Sequence, residues 1–125
     1  LIAGSAQANT PAAESEYDPR DYPKMTQCFN AAEQANNGIL ADFDAQGCYQ
    51  DEISRQEKRM NAALAKLNAR KPAQKAQLKR EQARWLNKRK AESDKEFEGP
   101  ATNGYGVMLK MTADRADALE KRLAR

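Results

Sequence analysis

The sequence contains no histidine. That removes the side chain whose ordinary pKa suits proton transfer near neutral pH, and with it the commonest metal ligand. Only two cysteines are present, Cys28 and Cys48, too few for a four-thiolate zinc site. Aromatic residues make up 6% of the chain, with a single tryptophan. No run of 18 apolar residues occurs, so no complete transmembrane segment is expected. No glycine-rich phosphate loop is visible. A catalyst built from carboxylates alone is the one enzymatic option left, and nothing else recommends it. The reading is therefore a binding protein rather than an enzyme, with no cofactor and no metal.

What is present fits one small domain. The chain has 125 residues, 40% hydrophobic and 31% charged. A domain of this size buries roughly two-thirds of the surface its unfolded chain exposes. Residues 1–8, Leu-Ile-Ala-Gly-Ser-Ala-Gln-Ala, have the look of the last part of a secretory signal peptide. Ala6 and Ala8 supply the small-x-small cleavage pattern, with Asn9 as the first mature residue. Residues 9–24 read as an extended leader rich in proline, alanine and acid, and residues 25–125 as a single helical domain. Cys28 and Cys48 support export, because an even pair in a small domain reads as one disulfide. Two buried free thiols are the alternative. A bridge closing a loop of this size is worth about 3 kcal/mol in the chain-entropy model. Export from the cytoplasm is therefore the expected localisation.

The net charge of +3 conceals a division. Residues 1–54 carry 2 basic and 9 acidic side chains, residues 55–90 carry 13 and 2, and residues 91–125 carry 6 and 7. The basic middle resembles a footprint for an anionic partner. Its simpler explanation is a long helix whose cations face solvent or pair with the acidic N-terminal third. Export argues against nucleic acid in the native role.

Helical periodicity dominates. Met25, Cys28, Phe29 and Ala32 recur at helical spacing, and Asn36-Asn37-Gly38 reads as the stop. Ile39, Leu40 and Phe43 form a small apolar patch around a turn, and Gly47 is expected to turn the chain so that Cys48 can return. Residues 48–70 read as a long helix with Ile53, Met60, Leu64 and Leu67 on one face. Pro72 marks a break, and residues 73–97 read as a second long helix carrying Leu78, Ala83, Trp85 and Leu86. Trp85 is expected as a core anchor. Residues 99–106 read as a loop, and a final helix is expected over 107–123, with Thr112 as a possible fresh start. The predicted fold is all-α: an antiparallel long-helix hairpin with short flanking helices and one disulfide.

The hairpin carries a family resemblance. Cys48, then Glu57-Lys58-Arg59-Met60-Asn61-Ala62-Ala63-Leu64 and Leu67, resembles the segment after the second cysteine of the LprI-like lysozyme-inhibitor family. There an acid-x-x-Leu-Asn-x-x-Tyr-x-x-Leu pattern opens the hairpin; here Met60 replaces the leucine and Asn61 matches. Leu78 through Glu92 resembles the family's Leu-x-x-x-Gln-x-x-Trp-(Ile/Leu)-x-x-Arg stretch, with Gln82, Trp85 and Arg89 in its characteristic positions. Asn103-Gly104 and Thr112-x-x-Arg115-x-x-x-Leu119 resemble its terminal loop and last helix. The resemblance spans roughly residues 28–122. Two further cysteines that relatives often carry are absent, with Ser93 in place of one and none near Lys110. The last helix should therefore be less firmly tethered.

The resemblance implies a periplasmic or secreted protein that inhibits a lysozyme or another peptidoglycan hydrolase by occluding its active site. An immunity protein against a secreted cell-wall-degrading toxin is an alternative, as is an envelope binding protein for an acidic protein or anionic ligand. Glu57, Asn61, Gln82, Trp85, Arg89 and Arg115 are expected to form the structural core or a polar network, with Arg89 pairing to Glu57 or another acid. Asn103, Gly104 and Tyr105 mark a candidate partner-binding loop, with Tyr105 as an aromatic anchor; an ordinary helix connection is the alternative. Against a basic lysozyme the acidic third, including Asp42, Asp44, Asp51 and Glu52, would be steered favourably, whereas the basic face would suit an acidic toxin domain.

Overall fold

A computed structural model describes Asp18 and residues 20–125. The expected signal remnant at 1–8 and the leader up to residue 17 lie outside the described residues. Four α-helices follow: α1 Pro23–Ala35, α2 Asp42–Arg70, α3 Lys75–Glu96 and α4 Ala101–Ala124, with a 3-10 turn Pro72–Gln74 between α2 and α3. The all-α class, the long paired helices and the Cys28–Cys48 disulfide agree with the sequence reading.

Local chemistry explains most boundaries. Pro23 occupies the first turn of α1, where its missing N–H costs nothing. The helix ends where Asn37 (φ 54°) and Gly38 (φ 83°) enter the left-handed region, and the Gly38 N–H closes onto the Glu33 carbonyl at 2.8 Å. Asp42 and Asp44 in the first turn of α2 and Arg70 in its last turn complement the helix dipole. That is one reason α2 begins at Asp42 and not near Cys48. Gly47 lies inside the helix, and no turn is needed there because α1 folds back along α2 and brings Cys28 to Cys48, with Cα atoms 5.7 Å apart.

The tightest packing lies between α2 and α4. These two helices make the most extensive contact in the fold, while α3 packs along α4 and meets α2 mainly around the Pro72 turn. Small side chains explain the preference. Ala63 on α2 and Ala113 and Ala116 on α4 are essentially sealed from solvent, so the backbones approach closely. Leu119, Leu67, Met60 and Leu78 fill one half of the core, and Tyr22, Ile53 and Leu109 fill the other. In α3 only Leu78 and Ser93 are fully buried. Trp85 is half-buried at the edge of the first cluster rather than at its centre. The last helix is thus no short flanking element: at 24 residues it is longer than α3 and completes the core.

α4 also starts six residues before the expected Val107. The stretch Asn103-Gly104-Tyr105-Gly106 reads as a loop by its glycines, yet it is helical. Tertiary contact overrides propensity here. Gly104 is buried against Phe97, and a Cβ at position 104 would fall within that ring. Phe97 in turn meets Tyr105 edge-on, with centroids 4.9 Å apart. Gly104→Ala should therefore destabilise the protein by about 1–3 kcal/mol through overpacking, although alanine is the better helix former by about 1 kcal/mol. Urea denaturation decides the matter; an unchanged or raised midpoint would contradict the close approach.

Candidate functional site

The residues singled out from sequence fall into three places. The structure places Glu57, Trp85 and Arg89 together in one group and Gln82 and Arg115 in another, each spanning helices. The Arg89 Nη1 on α3 donates to Glu57 Oε2 on α2 at 2.9 Å and to Thr112 Oγ1 on α4 at 2.8 Å. Its guanidinium also sits 5.0 Å from the centroid of the Trp85 ring. Arg115 Nε donates to Gln82 Oε1 at 3.0 Å, and Gln82 Nε2 reaches the Met60 sulfur at 3.4 Å. Asn61 is exposed and takes no part.

Several partners in this web were missed in the sequence. Thr112 reads as a helix start, but α4 runs straight through it; its hydroxyl donates to the Met108 carbonyl and accepts from Arg89. Glu81 accepts from Arg122 at 2.6 Å, and this hydrogen bond outweighs the opposing effect of burial and holds the Glu81 carboxyl below the ordinary range. Arg59 pairs with Asp117 and Glu120 on α4. The spacing of Thr112, Arg115 and Leu119 along one helical face was the available signal. These ties, rather than a second disulfide, fasten α4.

The segment 103–105 is the second place. Asn103 is exposed in the first turn of α4, Gly104 is buried, and Tyr105 is half-buried. The Tyr105 hydroxyl accepts from Gln50 Nε2 at 2.8 Å, while its ring rests on Phe97. Both ends of this tyrosine are engaged internally, and the segment is not a free loop.

The third place is the end of the molecule where α1 meets α2. The disulfide fastens the two helices there, and Phe29 packs edge-on against Tyr49, with centroids 5.8 Å apart. On this braced corner Phe43 is 83% exposed and Ile39 is 63% exposed. Large hydrophobic side chains so exposed are rare among the described residues; Leu86 is the other. Asp42, Asp44 and Asp51 lie alongside, exposed, and none pairs with a cation among the described residues. The buried Glu52 is instead held by Arg55 and Gln56. A rigid corner carrying two apolar projections between free carboxylates suits docking onto a basic surface with an apolar recess.

Charge is therefore sorted by position. The α4 acids Asp114, Asp117 and Glu120 absorb Arg20, Arg59 and Lys110. The cations expected to pair with the N-terminal acids largely do not. Lys75, Lys79, Arg80, Arg84 and Lys88 remain exposed along α3.

Among the described residues no cluster of His, Cys, Asp or Glu could hold a metal ion, and no helix is long and apolar enough to cross a membrane. The fold is that of a disulfide-clasped, all-α protein. The family model for the lysozyme inhibitor LprI matches residues 13–119, and the chain belongs to that family. The family is non-catalytic, and its members are typically periplasmic or secreted. No curated protein and no solved structure matches the chain.

The end of the leader adds a titrating pair. Tyr22 is buried beside Ile53, and its hydroxyl donates to Asp18, which also accepts from Arg20. Burial works to raise the Asp18 pKa, but the Arg20 and Tyr22 hydrogen bonds outweigh it and hold the carboxyl below its ordinary value. Burial first, and then the Asp18 bond, push the Tyr22 phenol well above its own. The Asp18 contribution to stability is complete above the unfolded value of about 4 and lost as pH falls through the folded one. That of Tyr22 is complete below about pH 10 and lost as pH rises through the folded value. Stability measured by urea melts across pH should fall at both extremes, and Tyr22→Phe should flatten both limbs. Unchanged slopes in the variant would contradict the pairing.

Proposed function

We propose that this protein is exported and binds a lysozyme or related peptidoglycan hydrolase, occluding its active site with the α1–α2 corner. In this reading residues 1–8 are the remnant of the export signal, residues 9–24 a leader, and residues 25–125 the binding domain. Family membership supports the lysozyme-inhibitor-like role. The observation that carries the choice of surface is the exposure of Phe43 and Ile39 on a disulfide-braced corner between unpaired aspartates.

The chemistry of the target favours this corner. A glycoside hydrolase holds two carboxylates across its cleft. Asp42 and Asp44 would be repelled by that pair at close range, so they suit the basic surface around the cleft, while Phe43 fills an apolar sugar subsite. An aromatic side chain removes 150–250 Å² from water on full burial, enough for a principal anchor. The disulfide and the Phe29–Tyr49 contact keep the corner ordered before binding, which lowers the entropy cost of docking. The basic outer face of α3 would turn away from a basic enzyme.

The test is inhibition of a basic animal lysozyme acting on peptidoglycan, with the oxidised protein. Phe43→Ala should weaken inhibition about tenfold or more. The double change Asp42→Lys, Asp44→Lys should slow association and remove most of its salt dependence. Arg84→Glu should not weaken inhibition. All four altered side chains are exposed, so folding should survive. Full inhibition by both corner variants would refute the assignment.

A further inference from the structure

A different surface, opposite in charge, is left open between α2 and α3. Lys75, Leu78, Lys79, Gln82, Ala83 and Leu86 recur at intervals of three and four and form one stripe along α3. This is the pattern of a helix face that packs against another helix. The sequence predicts burial for Ala83 and Leu86, yet both are exposed, Leu86 by 43%. The reason lies in the packing. α4 takes the close seat against α2, and α3 packs more extensively against α4 than against α2. A groove of about 380 Å³ remains, with Leu64 and Asn68 of α2 as its other wall. The Asn68 Oδ1 in that wall is shielded from solvent and has no hydrogen-bond donor among the described residues.

We infer that this groove is a second docking site, and that its occupant is an acidic amphipathic helix of a partner protein. Two helices flanking an apolar trough present the shape that a third helix fills, with anchors at i, i+3 or i+4, and i+7. Charge selects the occupant. Lys75 and Lys79 line the trough, and Arg80, Arg84 and Lys88 are exposed nearby on the same helix. A second copy docked groove to groove would bring the same cations against them, whereas glutamates flanking an apolar stripe would complement them. The site is distinct from the acidic corner, so its failure would leave the hydrolase reading standing.

The probe is a synthetic peptide of about 14 residues, four helical turns, with leucines at i, i+4, i+7 and i+11 and glutamates on the flanks. Binding to the oxidised full chain is followed by fluorescence anisotropy, and the Asn68 side-chain amide by NMR. The peptide should bind, perturb that amide and weaken as salt rises. Leu86→Asp and the double change Lys75→Glu, Lys79→Glu should each weaken it about tenfold; circular dichroism checks that the variants stay helical. A peptide with lysines in place of the glutamates should not bind. Absence of binding, equal binding of the lysine peptide, or indifference to Leu86→Asp would overturn the proposal. So would self-association that Leu86→Asp abolishes, which would assign the groove to a second copy. Peptide binding seen only after removal of residues 1–17 would assign it to the chain's own leader and overturn it equally.

Discussion

Everything in this molecule depends on the close approach of α2 and α4. Ala113, Ala116 and Thr112 are fully sealed from solvent, and Ala63 faces them from α2 almost as completely. Only side chains this small let two helix backbones run so near each other. Arg89 then crosses from α3 to bind both helices at once, through Glu57 and Thr112. A guanidinium suits this position because its donors are fixed in a plane and its charge does not titrate. With no second disulfide among the described residues, this node and the Arg59 and Arg122 pairs are the polar links from α4 to α2 and α3.

The same pairing decides where charge is free. α4 carries acids at Asp114, Asp117 and Glu120, and these meet arginines on α2 and on the end of the leader. Among the described residues Asp42, Asp44 and Asp51 are therefore left without cation partners, and so are most cations of α3. Exposed ion pairs add little to stability. Their main consequence here is spatial: an acidic corner at the start of α2, and a basic flank along α3. The disulfide turns the first of these into a rigid surface. It joins α1 to α2 one turn beyond Phe43, close enough to limit the motion of the corner.

Much of this was legible from the residues themselves. Asn36-Asn37-Gly38 announces the end of α1 because two of its positions adopt left-handed backbone. Pro72 announces the α2–α3 break. The spacing of Gln82, Trp85 and Arg89 indicates a shared face, and Glu57 was the partner expected for Arg89. Other features were hidden because they depend on tertiary contact. Gly104 and Gly106 argue for a loop until Phe97 is placed against the helix. Thr112 resembles a cap until its hydroxyl is seen facing Arg89. Leu86 resembles a core residue because its periodicity is right; only the competition between α3 and α4 for α2 leaves it outside. Phe43 was visible as an apolar residue near a turn, but its exposure follows from α2 starting at Asp42.

The central claim is that a rigid acidic corner, presented by the α2–α4 scaffold, meets the target. Amide hydrogen exchange of the oxidised protein, alone and mixed with a basic animal lysozyme, reads this directly. The account predicts new protection over residues 39–51 and none along the outer face of α3. Protection confined to α3, with residues 39–51 exchanging as in the free protein, would contradict it.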